Sequence, residues 1–350
     1  MLPIKYISEK PCNTNTKNNI LLSAEQASVA STYPFMVSNY YAGLINEPGD
    51  AIWRQCMPDI RELEDNVQEP DPLAESLLSP VPGLIHRYPD RVVMLVSNRC
   101  AVYCRFCMRK RHVGAGNDLP PDSGTIDRAV AYIQSHPAIQ DVTLSGGDPL
   151  MLDDSSLHRI LSQLRAISHV KIVRIGTRVP VTFPERVTSE LCNMLRQFHP
   201  LYINTHFNHP AEITSASARA CAQLADAGIP LGNQTVLLRG VNDDSAIMRE
   251  LMTGLLALRV RPYYIHQMDL IRGAAHFRTP VTKGLAIIRA LRGHVSGMAV
   301  PHYVIDLPNG KGKVALIPDV VEREGDMLFL MTYQGERVAY RDIIPISNQR

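Results

Sequence analysis

The sequence has no long apolar run, no strong charge of one sign and no hydrophobic N-terminal region. No apolar stretch approaches the ~20 residues of a membrane-spanning helix, so we predict no membrane association. The polar residues 1–19 lack the hydrophobic region of a signal peptide. The formal net charge is +2 over 350 residues, which gives no reason to expect a nucleic acid partner. Together these absences predict a cytoplasmic protein.

Cysteine is scarce, with seven residues in the chain. An odd number of scattered cysteines argues against a disulfide framework and favours a reducing compartment. Three of them crowd into the pattern Cys100-x3-Cys104-x2-Cys107, and the basic residues 109–112 follow closely. We interpret the isolated ones as structural: Cys12, Cys56, Cys192 and Cys221.

The crowded cysteines suit an iron–sulfur cluster better than zinc. Zinc sites usually combine pairs of Cys or His ligands, and no second pair follows in this sequence. An iron–sulfur cube takes four ligands, so three protein thiolates leave one iron open to a substrate or cofactor. The alternatives are three ordinary buried cysteines, or a zinc site completed by a histidine such as His112.

Apolar, β-branched stretches alternate with helix-like stretches through the middle of the chain. The predicted strands lie at 92–97, 141–145, 171–176, 201–206, 232–238 and 261–266. The predicted helices lie at 124–135, 154–168, 185–198, 211–228, 244–258 and 281–292. Six strand–helix units predict an α/β fold with a parallel sheet and crossover helices, a partial (β/α)6 version of the TIM barrel.

The barrel prediction divides the chain into three parts. Residues 1–90 form an N-terminal extension that ends in a proline- and acid-rich link at 69–82, residues 91–303 form the core, and residues 304–350 form a C-terminal segment. Active sites of such barrels lie at the C-terminal ends of the strands. Unusual residues follow or end each predicted strand: the cysteine loop, 146–150, 177–180, His206, Gln234, and Gln267 with Asp269. They predict one site at the barrel mouth.

The cysteine spacing, with Phe106 before the third cysteine, resembles the signature of radical S-adenosylmethionine (SAM) enzymes. The wider sequence resembles lysine 2,3-aminomutase and its close relatives over roughly residues 45–340. The motifs that carry this likeness are, in order, SPVPGLIHRYPDRV, CRFCMRKRHVG, TLSGGDPL, RIGTRVPV, NTHFNHPAEIT, GNQTVLLRGVND, RPYYIH, HFRTPVTKG and DLPNGKGK. Many motifs in one order are far more specific than any single motif.

The resemblance implies an isomerase with a [4Fe–4S] cluster, SAM and pyridoxal 5′-phosphate (PLP), folded as a partial radical SAM barrel. The reduced cluster cleaves SAM, and the resulting 5′-deoxyadenosyl radical takes hydrogen from the substrate β-carbon. The α-nitrogen, held as an imine with PLP, then migrates to that carbon. With lysine as substrate, the product is β-lysine.

The resemblance also assigns the cofactor residues. The cluster ligands are Cys100, Cys104 and Cys107, and the PLP lysine is Lys313, although Lys311 stands where relatives carry glycine. The resemblance assigns the PLP phosphate to Arg87 and Tyr88, in the N-terminal extension, and to Arg91, at the start of the core. It assigns SAM binding to Gly146, Gly147, Asp148, His206 and Gln234. The two glycines have no side chain, so SAM can approach the backbone closely there. Ordinary turns at 146–149 and 310–313, surface charge at 87–91 and an interior His206 are the alternatives.

The substrate residues follow in the same way. Arg109 matches the family residue that binds the substrate carboxylate, while Asp269 and Asp306 match the pair that binds the distal ammonium. Two enclosed carboxylates are costly without a cation between them, which calls for a basic substrate. Taken singly, each aspartate also suits a helix cap or a turn. We expect the other basic residues of the loop, Lys110, Arg111 and His112, to offset cluster charge or lie in solvent.

Several alternatives stay open at this point. L-lysine is the first substrate, arginine or ornithine the second, and a lysine linked to elongation factor P the third, because Arg272 and Ala274–Ala275 resemble the enzyme with that role. Asp244 stands where some relatives carry a zinc-binding cysteine, and the tail 342–350 has no cysteine, so we expect no zinc site. We also expect a reductant such as flavodoxin or ferredoxin, and a homo-oligomer is compatible with the sequence. The alternative from a different functional class is a non-catalytic protein that binds zinc or an iron–sulfur cluster.

Overall fold

The fold is built on a nine-stranded sheet whose strands are neighbours in chain order. The computed structural model describes residues 22–65, 68–114, 121–318, 321–324 and 327–341. Strands β2 to β8 run parallel, and the antiparallel strands β1 and β9 flank them. The strands are β1 (Leu84–Tyr88), β2 (Arg91–Ser97), β3 (Asp141–Gly146), β4 (Ile172–Gly176), β5 (Leu201–Thr205), β6 (Leu231–Leu237), β7 (Val260–Gln267), β8 (His302–Leu307) and β9 (Gly312–Leu316).

Helices connect the parallel strands and build the N-terminal extension. They are α1 (Ala24–Thr32), α2 (Asn39–Ala42), α3 (Ala51–Cys56), α4 (Arg61–Glu64), α5 (Ser123–Gln134), α6 (Asp154–Arg165), α7 (Val179–Thr182), α8 (Ser189–Leu195), α9 (Ser215–Asp226), α10 (Ser245–Ala257) and α11 (Val281–Leu291). Short polar side chains begin several of them by accepting backbone N–H groups of the first turn. Asp122 caps α5, Asp153 caps α6 and Asp244 caps α10. Asp244 therefore has a local role in helix initiation.

The sequence prediction of a partial barrel is confirmed, and all six predicted strands are present as β2 to β7. The predicted helix at 185–198 is instead divided into the turn Pro184–Arg186, α8 and the turn Arg196–Phe198. The structure adds a seventh parallel strand, β8, which pairs with β7. The expected boundary at 303/304 lies inside β8, so the C-terminal segment begins within the main sheet.

Alternate residues of the strands and one face of each helix fill the core. In β2 the side chains of Val92, Met94 and Val96 are buried, as period-2 burial requires. The N-terminal extension contributes Tyr41 and Ile52 to the same core, so its described part is integral to the barrel. Within the described residues, no helix combines the length and apolar character needed to span a bilayer.

A small antiparallel sheet follows the barrel. It contains β10 (Val321–Glu324), β11 (Met327–Met331) and β12 (Arg337–Arg341) in that order. Its central strand pairs with both neighbours in continuous register. The residues of the predicted tail 342–350 lie outside the described residues, as does Cys12.

Candidate active site

The three crowded cysteines follow β2 and line one pocket at the barrel mouth, together with Tyr33 and Lys110. Burial raises the pKa of the Cys100 thiol well above its ordinary value and raises that of Cys107 to about 11. Thiols with a pKa raised in this way ionise when a bound metal supplies positive charge. The three cysteines therefore give this pocket three sulfur atoms that can bind a metal.

The donor set fits an iron–sulfur cluster. In the part of the chain that the structure describes, no three His, Cys, Asp or Glu side chains are arranged to hold a single metal ion. In an iron–sulfur cube, by contrast, each thiolate binds a different iron atom, so the sulfurs stand further apart. The other isolated cysteines in the described residues, Cys56, Cys192 and Cys221, are buried.

The glycine pair after β3 packs directly on the start of the cysteine loop. Gly146 has φ +119°, and a Cβ there would lie 2.3 Å from the Ser97 carbonyl oxygen. A Cβ on Gly147 would lie 2.5 Å from the Arg99 carbonyl oxygen. The backbone N–H of Asp148 also donates to that oxygen over 2.7 Å. The close loop contact therefore requires both glycines, whereas their contact with SAM stays a prediction.

Asp148 holds neighbouring loops together. Its Oδ1 accepts from the Thr177 hydroxyl at 2.6 Å and from the Leu150 N–H at 3.0 Å, while Oδ2 accepts from the Arg178 N–H at 2.7 Å. Burial raises the pKa of its carboxyl, and these hydrogen bonds oppose that rise. Because protein donors already occupy both oxygens, Asp148 shapes the mouth, and its support of SAM stays a prediction.

His206 follows β5 and lies close to the cysteine loop. Its ring centroid is 5.5 Å from that of Phe106, and its Nε2 lies 3.1 Å from Asn208 Oδ1. Burial lowers the pKa of His206 to about 3, so the ring is neutral at physiological pH. Since Nε2–H donates to Asn208, Nδ1 keeps an acceptor lone pair.

His266, at the end of β7, joins two predicted site residues that sequence reasoning left unconnected. Its Nε2 lies 3.1 Å from Gln234 Oε1, and its Nδ1 lies 3.3 Å from Asp306 Oδ2. Gln234 belongs to the predicted SAM set, and Asp306 to the predicted substrate set. The sequence offered one signal: His266 ends the motif RPYYIH, which the sequence analysis quoted without giving this histidine a role.

The antiparallel pair β8–β9 places Asp306 opposite Lys313. The Asp306 carboxylate accepts from Lys313 Nζ and, over 3.2 Å, from Arg87 Nη1. Burial alone would raise the pKa of Asp306, but the His266 hydrogen bond and the Lys313 charge hold that pKa below its ordinary range. The Lys313 backbone N–H donates to the Tyr88 hydroxyl over 2.9 Å. Asp306, Lys313, Arg87 and Tyr88 therefore form one cluster.

The cluster around Lys313 fits PLP. Arg87 is largely buried, and among the described residues its Nε has no hydrogen-bond partner, which leaves a donor for an anion such as phosphate. Lys311 has φ −69°, so a lysine replaces the relatives' glycine there without backbone strain. Arg91 pairs with Asp90 at 3.0 Å and stacks on the Tyr88 ring, and its contact with the phosphate stays a prediction.

Arg109 is held by the N-terminal extension. Its Nε and Nη2 donate to Glu75 over 3.0 and 2.7 Å, and its Nη1 donates to the Ser145 hydroxyl over 3.1 Å. A guanidinium has five N–H groups, so one on Nη1 and one on Nη2 remain for a substrate carboxylate. Sequence reasoning missed Glu75, because nothing in the link around it marks one acid among several.

Asp269, after β7, lies in the same electrostatic environment. Burial, followed by the charge of Asp306, raises the pKa of Asp269 to about 7. The negative charge of Asp269 in turn helps to raise the pKa of Arg109. The predicted carboxylate and ammonium sites are thus neighbours, and Asp269 has the elevated pKa of a buried carboxyl that a cation would stabilise.

Lys110 and Arg111, two of the three remaining basic residues, pair with acids of the N-terminal extension, which corrects the expectation that these two lie in solvent or only offset cluster charge. Glu62 is fully buried and accepts from Arg105 at 2.6 Å and from Lys110 at 2.8 Å. Arg111 pairs with Asp71 at 3.1 Å. We call residues 59–65 and 68–75 the acidic strap, since their carboxylates hold this segment against the cysteine loop.

The segment after β7 that resembled another relative docks on the same strap. Asp65 Oδ2 accepts from the N–H groups of Gly273, Ala274 and Ala275 over 2.9, 3.3 and 3.2 Å. Arg272 is exposed and donates to the Gln68 carbonyl over 2.9 Å. These contacts face the strap, and the alternative substrate that this segment suggested stays a prediction.

Arg178 is a central residue that the sequence analysis assigned no role, although its motif was noticed. Its Nη1 donates to Cys104 Sγ over 2.8 Å, and its Nη2 donates to Glu212 Oε1 over 2.6 Å. The side chain is buried, at 9% exposure. It links the loop after β4 to the cysteine loop after β2.

Comparisons with known proteins agree with this geometry. A family model described as the Radical SAM superfamily matches residues 94–251, and one described as Lysine-2,3-aminomutase matches residues 288–344. The L-lysine 2,3-aminomutase of Clostridium subterminale is 50% identical over 312 residues, 88% of this chain and 75% of that protein. The Methanococcus maripaludis protein of that name is 49% identical over 313 residues, 88% of this chain and 72% of that protein.

A relative with another substrate is also similar. The glutamate 2,3-aminomutase of Clostridioides difficile is 45% identical over 317 residues, 90% of this chain and 75% of that protein. Among solved structures, a radical SAM methyltransferase from Sphaerobacter thermophilus covers 63% of this chain and 67% of its own, with 16% identity and a TM-score of 0.46. That score is too low to carry an argument.

Proposed function

Because the chain belongs to the L-lysine 2,3-aminomutase family of radical SAM enzymes, we propose that it converts L-lysine to β-lysine. The motif-based resemblance is confirmed, and with it the enzyme class, an isomerase that moves an amino group within a small amino acid. The family's cofactors are a [4Fe–4S] cluster, SAM and PLP. Together they supply a carbon-centred radical and a carrier for the migrating nitrogen.

One observation carries the choice of lysine: Asp269 and Asp306 are electrostatically coupled within one buried site. Burial and the charge of Asp306 raise the pKa of Asp269 to about 7. A second cation between the carboxylates would relieve this repulsion, as the distal ammonium of lysine does. A glutamate side chain would add a third carboxylate to the pair, so a basic substrate is favoured.

The remaining residues would hold the other parts of the reaction. The free Nη1 and Nη2 hydrogens of Arg109 suit a carboxylate, which binds an arginine fork with paired donors. Cys100, Cys104 and Cys107 would hold the cluster, and Lys313, Arg87 and Tyr88 would hold PLP. Gly146, Gly147, His206 and Gln234 would border SAM. Enclosure keeps water and quenchers from the radical.

Arginine and ornithine are the second substrate candidates, because both carry a cation at the far end. Their side chains differ from lysine in length and shape, so the spacing between Arg109 and the aspartates decides among them. A reductant such as flavodoxin or ferredoxin, and a cytoplasmic location, complete the proposal.

The test is a product assay with each amino acid offered separately. The protein is purified anaerobically, its cluster is rebuilt, and PLP, SAM and a reductant are added. Lysine, arginine, ornithine and glutamate are each supplied, and β-amino isomers are measured by derivatisation and mass spectrometry. β-Lysine from lysine alone supports the proposal, whereas β-arginine or β-ornithine moves the substrate. No product with any of them, despite bound cluster and PLP, would contradict it.

Two variants sharpen that assay. Asp269→Asn and Asp306→Asn each keep the side-chain shape but remove one negative charge. We expect both to raise KM for lysine by about tenfold or more, since a charge-assisted hydrogen bond contributes about 1.5–3 kcal/mol. Asp244→Asn, at the cap of α10, is the matched control and should leave KM unchanged.

A further inference from the structure

Arg178 makes a contact with the cysteine loop that the proposed reaction does not yet use. Its Nη1 donates to Cys104 Sγ over 2.8 Å. Within the described residues, no comparable guanidinium contact with Cys100 or Cys107 is present. One of the three predicted cluster thiolates is therefore distinguished from the other two by a charged hydrogen-bond donor.

The position of Arg178 is fixed from several sides. Its backbone N–H donates to Asp148 Oδ2 over 2.7 Å, which ties it to the loop after β3. Its Nε donates to the His206 carbonyl over 3.2 Å, which ties it to the loop after β5. Its Nη2 also lies 2.5 Å from Gln55 Oε1 and 3.0 Å from the Tyr41 hydroxyl oxygen. The guanidinium therefore has little freedom to leave Cys104.

The charge of Arg178 is balanced on the side away from the thiol. Glu212 is fully buried and accepts from Arg178 Nη2 over 2.6 Å. The same carboxylate accepts from the Tyr41 hydroxyl at 2.7 Å and from the Asn208 N–H at 2.6 Å. Glu212 thus fixes the position of Arg178 and partly offsets the positive charge that Arg178 places beside Cys104.

A hydrogen bond to a cluster sulfur has a known direction of effect. It stabilises negative charge on the thiolate, and the reduced cluster carries one more negative charge than the oxidised cluster. Donors to the sulfurs therefore raise the reduction potential of iron–sulfur clusters. A cation in a buried site strengthens that effect, because the low local dielectric screens it poorly.

We propose that Arg178 is a positioning residue that holds Cys104 as a cluster ligand and raises the reduction potential of the cluster. The step it eases is the one-electron reduction: one electron passes from the reductant to the oxidised cluster, and no proton or bond is exchanged. The proposal rests on the assignment of Cys100, Cys104 and Cys107 to the cluster under the proposed function.

The experiment is an anaerobic redox titration of the rebuilt cluster, followed by electron paramagnetic resonance. Wild-type protein is compared with Arg178→Gln, Arg178→Lys and Arg174→Gln. The last is the matched control, since Arg174 lies on β4, four residues before Arg178, but pairs with Asp141 over 2.8 Å, away from the cysteines. Iron and sulfide per chain, and SAM binding, are measured on each variant.

We expect Arg178→Gln to shift the midpoint to a more negative potential. At a fixed potential the ratio of reduced to oxidised cluster should fall about tenfold, equivalent to ~59 mV for one electron. Arg178→Lys should restore part of the shift, because it keeps the charge without the forked geometry. Arg174→Gln should match the wild type. A midpoint in Arg178→Gln equal to that of the wild type would overturn the proposal.

Glu212→Gln provides an independent test if Arg178→Gln cannot hold a cluster. Without the Glu212 carboxylate, the net charge beside Cys104 becomes more positive. The midpoint potential should therefore shift in the opposite direction, to a less negative value. An unchanged or more negative midpoint would overturn the proposal. So would an Arg178→Gln protein that loses SAM affinity but keeps the wild-type midpoint, since Arg178 would then serve SAM. A wild-type chain that binds no cluster would instead sink the proposed function itself.

Discussion

The barrel wall, which is strands β2 to β7, and the acidic strap contribute to the same site by different physical means. The order of strands β2 to β7 in the sheet fixes where the functional side chains lie, because parallel strands end together at one edge. The strap, residues 59–65 and 68–75, places side chains through ion pairs with the cysteine loop. The first kind of placement depends on many weak, repeated contacts. The second depends on a few charged atoms, and single substitutions should separate the two.

The largest expected effect comes from breaking the buried end of the strap. Glu62→Gln leaves the Arg105 guanidinium and the Lys110 ammonium in the interior without their carboxylate. Breaking a buried ion pair in this way costs about 3–5 kcal/mol. We expect that loss in the free energy of unfolding, measured by denaturant titration.

The control for that variant is Asp226→Asn, which removes a surface pair with Arg259. Both side chains are more than half exposed, at 70% and 52%. Exposed pairs contribute about 0–1 kcal/mol. If Glu62→Gln costs no more than this control, the strap is not held by its buried charges.

The next effect tests whether the strap serves the substrate as well as the fold. Glu75→Gln weakens the paired hydrogen bonds that orient Arg109. We expect KM for the amino acid to rise by about tenfold to a hundredfold, since bonds to charged groups contribute about 1.5–3 kcal/mol. Steady-state kinetics measure it. Asp71→Asn, which removes the partner of Arg111, is the matched strap variant and should change KM much less.

A third prediction concerns a residue placed by the barrel wall. Burial and Asp306 raise the pKa of Asp269 to about 7, and Glu75 acts in the same direction, whereas Lys313 and Arg87 oppose it. Because the ionised carboxylate binds an ammonium, affinity for lysine should fall as the pH drops through this pKa. The expected slope is about tenfold per pH unit.

The measurement is kcat/KM for lysine across neutral pH, in the wild type and in Asp269→Asn. The variant should lose the inflection, since it has no group to titrate there. Glu75→Gln should keep the inflection but shift it to lower pH, because the charge of Glu75 helps to raise the pKa of Asp269. An inflection that survives in Asp269→Asn would assign it to another group.

The smallest effect is expected from Arg272→Ala. This side chain is exposed, and its guanidinium contacts the carbonyl of Gln68, within the acidic strap. Surface changes of this kind usually alter stability by about 0.5 kcal/mol or less. Substrate preference among lysine, arginine and ornithine should stay the same, as competition assays would show. A changed preference would mean that this loop reaches the pocket after all.

The sequence predicted the wall well, for a physical reason. A buried parallel strand is an apolar run, and its end is marked by a change to polar or small residues, so 141–145 and 201–206 could be located from local composition. Strand β8 was missed because its apolar centre, Tyr303–Ile305, is short and runs directly into Asp306. Local pattern could not separate it from a tail.

The sequence could not predict the partners of the functional residues. Glu75 lies 34 positions from Arg109, and Arg178 lies 74 positions from Cys104. Such pairs are set by how loops meet in space, and one acid or arginine among many carries no local signal. His266 joins Gln234 and Asp306 across three neighbouring strands for the same reason.

The β8–β9 hairpin has a consequence for the order in which the protein matures. The predicted PLP lysine lies on β9, the last strand added to the main sheet, whereas the cysteines follow β2. During translation the cysteine loop and most of the wall leave the ribosome before Lys313 is synthesised. A nascent chain can therefore acquire iron and sulfide while it still has no lysine to receive PLP. We expect cluster insertion to come first and PLP loading to close the maturation sequence.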